Sequence, residues 1–186
     1  MTFTRLGRGD LLAMVAALAL LLVMATDWYT TKAGEQARDI ASKIEPRVNN
    51  ETVPTESAKQ NSFADSQEKN AWQAGGLIDR VILILLMAAV VLALVAAWAR
   101  AAGKSLGPPS PSALASLAGL AASSLIVYRI LQPPGLNAAA VVKPGAPLGL
   151  LCVGLLAIGA RVAARGERSR PAADAPAETP AETPAS

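Results

Sequence analysis

Four long apolar runs leave this chain few ways to fold: Leu11 to Thr26, Leu77 to Ala99, Ala113 to Leu131 and Pro147 to Ala164. Charge enters them only at Asp79 and Arg80 in the second, Arg129 in the third and Arg161 in the fourth. Hydrocarbon offers the backbone no hydrogen-bond partners, so runs of this length read as helices crossing a bilayer core of ~30 Å. The first is the shortest, since its sixteen residues rise only ~24 Å, and its flanks must help it across.

Those flanks raise a competing reading. Arg5 and Arg8 form a basic n-region, Leu11 to Leu22 an h-region of signal-peptide length, and Val23-Met24-Ala25 a small-x-small triplet after which cleavage would fall. Trp28 and Tyr29 follow directly, as interfacial aromatics follow a retained span, and this favours an uncleaved anchor. Five of the seven aromatics, Trp28, Tyr29, Trp72, Trp98 and Tyr128, stand at or beside helix ends and are candidate interfacial anchors. The compact basic clusters TRLGR before the first run and ARGERSR after the fourth put both termini on the cytoplasmic side of a cell membrane.

The chain then divides into an N-terminal segment 1–10, a span 11–29, an external loop 30–75, a span 76–99, a turn 100–111, a span 112–132, an external loop 133–144, a span 145–164 and a tail 165–186. In the long loop, Ala33, Ala37, Ile40, Ala41 and Ile44 recur at helical spacing, Asp39 and Lys43 are four apart, and Pro46 ends the pattern. TESAKQNSFADSQEKNAWQ reads as a second helix, with Gly75-Gly76 a hinge before the next span. Asn50-Glu51-Thr52 matches a glycosylation sequon, a three-residue pattern that chance supplies easily. The tail RPAADAPAETPAETPAS repeats PAET and has almost no large apolar residue to build a core, so it is expected to be disordered. The expected fold is all-α: a membrane-embedded, antiparallel four-helix bundle with a helical external loop and a disordered C-terminal tail.

Composition narrows the chemistry. There is no histidine in 186 residues, which removes the commonest general acid/base and metal ligand. The single cysteine, Cys152, sits in PLGLLCVGLLAIGA with no base near it and reads as a packing residue. No cofactor or metal site is expected, and an enzyme ranks behind other classes. The net charge of +3 is spread in short flanking groups, an arrangement unlike a nucleic-acid surface.

Lipid tails solvate leucine as well as a neighbouring helix does, so membrane helices associate through small residues and polar links. Gly145 and Gly149 make a GxxxG, Gly119 lies between Ala115 and Ser123 on one face of the third span, and Ala89, Ala93 and Ala97 line the second. Gly119, Gly145 and Gly149 are the candidate helix-packing positions. Asp79 lies nineteen residues from Trp98, roughly 28 Å along the axis, and Arg129 seventeen from Ser112, roughly 26 Å. In antiparallel neighbours both reach one level. Arg129 then either extends to water and phosphate or pairs with Asp79 and sets the register of the second and third spans; an ion site would need carboxylates nearer the midplane.

The segments GRGDLLA, TDWYTTKAGEQAR, NAWQAGGLIDRVILILL and VYRILQPPGLN resemble those of uncharacterised small four-span integral membrane proteins of high-GC bacteria. The resemblance leaves the tail aside and implies fold and membrane location only. The sequence points to a non-enzymatic structural, accessory or sensor subunit working through helix packing and its external loop, in contact with the lipid bilayer and with another membrane protein or a second copy. A channel or transporter component is the alternative.

Overall fold

Each apolar run folds as a helix whose ends are marked by its own sequence. The computed structural model describes residues 6–44, 54–73, 76–104, 109–132 and 140–168, and the chain is mostly helical. The apolar helices are α1 (Arg8–Met24), α4 (Leu77–Ala101), α5 (Pro111–Leu131) and α6 (Gly145–Arg168). At the start of α1 the Gly7 amide donates to Asp10 Oδ2 at 3.0 Å, and at the start of α4 the Gly76 amide donates to Asp79 Oδ2 at 3.2 Å. Ser110 Oγ caps α5 by accepting from the Ala113 amide, with Pro111 just inside the helix where its missing N–H costs nothing. Helix α4 stops at Gly103, whose φ of 69° lets the Lys104 amide turn back to the Ala99 carbonyl at 2.9 Å.

Among the described residues, α4, α5 and α6 are long and apolar enough to cross a membrane; α1 has 17 residues. The four helices lie side by side, α1 against α6 and α4, α5 against α4 and α6. Small residues face inward: Ala17, Ala89, Ala93, Ala115, Ala122 and Ala160 are buried. Large side chains take both sides: Leu20, Leu86, Ile126 and Leu156 are fully buried, while Leu22, Ile84 and Leu117 face outward at 75%, 66% and 63% exposure. The outward aliphatics and the small residues between helices suit hydrocarbon, where nothing drives every leucine inward and close backbone approach gains dispersion contacts. The closest approach is between α1 and α6. A Cβ on Gly9 would lie 2.7 Å from the Ala163 nitrogen, and one on Gly159 would lie 2.7 Å from the Ala13 nitrogen. Gly9-xxx-Ala13 and Gly159-xxx-Ala163 thus form the tightest helix contact, which the sequence reading did not single out.

Three strands, β1 (Asp27–Thr31), β2 (Lys69–Asn70) and β3 (Ala140–Val142), form an antiparallel sheet in the order β2-β1-β3 across one end of these helices. Helices α2 (Lys32–Ile44) and α3 (Pro54–Gln67) flank it, joined through buried Ala37, Ala41 and Ala64 and through Arg38, which pairs with Asp65 and Glu68 at 2.8 Å each. The i,i+4 pair Asp39–Lys43 forms at 2.5 Å.

The sheet is an addition to the all-α expectation. Strands of five, two and three residues are too short to show an alternating pattern against their surroundings. It also shifts the boundaries. The first span was expected to reach residue 29, but α1 ends at Met24 and Trp28-Tyr29 belong to β1; α6 runs on to Arg168. The sequon, Gly75 and the PAET tail lie outside the described residues.

Candidate functional site

The sheet end of the molecule holds a cavity of about 450 Å³. Its floor is Ile82, Leu83 and Leu86, from the first turns of α4 together with the Trp28 edge; its walls are β1, β2 and the turn after β2. Asp79 and Arg129 close one side. Arg129 Nε donates to Asp79 Oδ1 at 2.6 Å and Nη2 to Oδ2 at 2.8 Å, a two-pronged contact between the start of α4 and the end of α5. Their side chains are only 13% and 19% exposed. A carboxylate at a helix start and a guanidinium at a helix end each also complement their own helix dipole.

Tyr29 stands beside this pair, and its pKa is pushed up to about 12, first by burial and then by the Asp79 charge, with Arg129 opposing. It therefore remains a neutral hydroxyl throughout the physiological range. At the edge of the sheet Glu68 sits between Arg38, at 2.8 Å, and Lys143, at 3.7 Å, with the Asp27 carboxylate beside it. Burial, and then the neighbouring Asp27 carboxylate, with which a protonated Glu68 can share its proton, raise its pKa.

The opposite end carries a second polar cluster. Arg100, at the end of α4, pairs through Nη1 with Asp10 of α1 and through Nη2 with Glu167 Oε1 of α6 at 2.6 Å. Nη2 also donates to Ser112 Oγ of α5, so each of the four apolar helices contributes one residue. Asp10 and Ser112 are buried.

The structure places the sequence-derived candidates unevenly. Asp79 and Arg129 come together. Trp72, Trp98 and Tyr128 are exposed at helix or strand ends, with the Lys104 ammonium 5.3 Å from the centre of the Trp98 ring. Trp28 does not fit an interfacial anchor. It is 3% exposed, its Nε1 donates to the Val23 carbonyl at 3.0 Å, and its ring lies against Gly149. Tyr29 likewise turns to the cavity wall. Gly119 packs helix on helix, since a Cβ there would sit 3.0 Å from that of Ala157. Gly145 and Gly149 instead receive β1. Added Cβ atoms would fall within 2.7 Å of Thr26 and Trp28 at Gly145, and 2.5 Å from the Trp28 ring at Gly149. That pair makes room for an indole, not for a partner helix.

The Asp10–Arg100–Ser112–Glu167 cluster was missed, yet a signal for it exists. Gly7-Arg8-Gly9-Asp10 and Gly76-Leu77-Ile78-Asp79 are two Gly-x-x-Asp helix starts, and each aspartate both caps its helix and binds an arginine. Comparison of the chain with protein-family models, curated proteins and solved structures finds no match.

Proposed function

We propose that the chain is a four-span integral membrane protein of a bacterial cytoplasmic membrane. Both termini are cytoplasmic, and the sheet with α2 and α3 forms an external cap. The helices make an antiparallel four-helix bundle like that of the small high-GC bacterial proteins it resembles. Support for α1 as the fourth span comes from α6. Gly9 of α1 meets Gly159 and Ala163 near one end of α6, and Thr26 with Trp28 meets Gly145 and Gly149 at the other. Helix α1 and its turn therefore run alongside a helix that is itself long enough to cross.

The protein acts in this reading as a non-enzymatic sensor or accessory subunit, and the observation that carries it is the cavity beneath the cap, walled by the ion pair that joins α4 to α5. What occupies the cap bears on helix register through Asp79 and Arg129. A channel or transporter component is the alternative, and would need a polar path between the helices. Of Ser116, Ser123 and Ser124, the serines of α5 available to supply one, two favour the first reading: Ser123 Oγ donates to the Gly119 carbonyl of its own helix at 2.8 Å and Ser124 Oγ to that of Leu120 at 3.1 Å.

Two measurements test this. Reporter fusions at both ends should read cytoplasmic, and a Ser66→Cys variant should react with an impermeant maleimide in intact cells; the reverse pattern sinks the topology. Liposomes containing the protein should pass ions and small solutes no faster than empty ones, and a flux abolished by Arg129→Gln would establish the transport alternative.

A further inference from the structure

The wall of the cap cavity has a one-sided hydrogen-bonding character. Its side-chain amide and carboxylate oxygens are engaged within the protein, while Thr30 Oγ1 is buried with no partner among the described residues. Gln67 Oε1 is taken by the Thr31 hydroxyl at 3.2 Å, and Asn70 Oδ1 by the Trp72 and Gln73 amides at 3.1 and 3.2 Å. Gln73 Oε1 takes the Asn70 amide at 3.3 Å, and both oxygens of Asp79 take Arg129, with Gly76 on one of them. Among the described residues, the capacity left for a guest is chiefly that of donors: the Lys69 ammonium, the Asn70 and Gln73 amide nitrogens, Arg129 Nη1, which takes no part in the pair with Asp79, and the Tyr29 hydroxyl, which can also accept. Below this rim the floor is aliphatic, and Ile82 to Leu86 offers one helical turn, ~6 Å of depth. The volume of about 450 Å³ lies in the range of small-molecule sites, ~300–1,000 Å³.

We propose that this cavity binds an amphiphile with an anionic, acceptor-rich head, a carboxylate or a phosphate ester, and one short apolar arm laid on Ile82, Leu83 and Leu86. The proposal rests on the cap being a binding module and adds the chemistry of its guest. Lys69, on the exposed edge strand, supplies the long-range attraction, and the neutral donors supply hydrogen bonds that a cationic or donor-only head cannot accept. The site's position at the start of α4 suits a guest drawn from the bilayer surface, its arm level with the first turns of a membrane helix.

The test uses the full chain in nanodiscs in a Trp72→Phe, Trp98→Phe background, which leaves Trp28 at the cavity as the fluorescent reporter. Terminally brominated octanoate should quench Trp28 saturably, and octyl phosphate should compete. The half-saturation concentration should rise about tenfold in Lys69→Glu, the effect of losing one hydrogen bond to a charged group. Brominated octyltrimethylammonium should quench the parent weakly and Lys69→Glu more strongly. Gln73→Glu, at a second exposed position, should shift the preference the same way if Lys69→Glu fails to fold. Equal quenching by both head charges, unmoved by either substitution, would show simple partitioning and overturn the proposal. Competition by inorganic phosphate alone would make this an anion site with no role for the apolar floor, and would overturn it too. A Lys69→Cys variant that reacts with impermeant maleimide only after lysis would bring down the external-cap reading separately, whatever the quenching shows.

Discussion

The Asp79–Arg129 pair should prove energetically coupled, and the structure sets how strongly. Its two charge-assisted hydrogen bonds, at 2.6 and 2.8 Å, are short, and the side chains are four-fifths or more buried. An exposed pair is worth ~0–1 kcal/mol, whereas removing one partner of a fully buried pair costs ~3–5 kcal/mol, because the other charge is left without compensation. For a contact that retains some access to water, Asp79→Asn and Arg129→Gln should each destabilise by about 3 kcal/mol. The double change leaves no orphaned charge, and the amide of Asp79→Asn still has an oxygen to accept from the Gly76 N–H, so it should cost about 4 kcal/mol. The coupling is then about 2 kcal/mol. Equilibrium unfolding in mixed micelles over a range of sodium dodecyl sulfate fraction, for the parent and the three variants, measures all four terms. If the two single effects add to the double within about 0.5 kcal/mol, the pair carries no coupling and Arg129 works by reaching to lipid phosphate alone.

Other consequences follow from the same contacts. Gly149→Ala should destabilise by roughly 1–3 kcal/mol and shift Trp28 emission, because its Cβ would stand 2.5 Å from the indole, while Gly154→Ala, with nothing within 4 Å, should be neutral or stabilising; equal effects in the same unfolding assay would dismiss the close approach to Trp28. Arg100→Gln should destabilise at least as much as Arg129→Gln, since it leaves Asp10 buried and Glu167 unpaired, and a change under about 1 kcal/mol would contradict the four-helix clamp. The raised pKa of Glu68 means that the folded cap binds this proton more tightly than the unfolded chain, so its contribution is fully present below the unfolded value of ~4.3 and is lost as pH rises through the folded value. Hydrogen exchange of α2 and α3 should therefore quicken with pH over that window beyond the chemical rate, and Glu68→Gln should flatten the dependence; an unchanged slope would exclude Glu68 as its source.

What the sequence discloses divides by how many segments a feature involves. Whether Leu77 to Ala101 can cross a membrane is a property of that run alone, so α4, α5 and α6 were legible to within a few residues at most ends. The level of Asp79 with Arg129 needed two segments, and counting rise per residue from the far ends sufficed, because straight antiparallel helices convert residue number into depth. The same count, applied to the other end, would have joined Asp10 to Arg100. In both cases the aspartate is the third residue of one apolar helix, and the arginine lies near the end of the next apolar helix in the chain. What defeated the reading was direction. Trp28 stands near a membrane boundary in sequence, but chain position does not say which face of β1 a side chain takes, and strand alternation puts Trp28 onto α6 while Tyr29 faces the cavity. Gly145 and Gly149 teach the same point from the other side. A glycine pair four residues apart announces that something comes close, and the absent side chains cannot name it. The identity of the visitor was written in Trp28, over a hundred residues away, and only the turn after Met24 brings the two together.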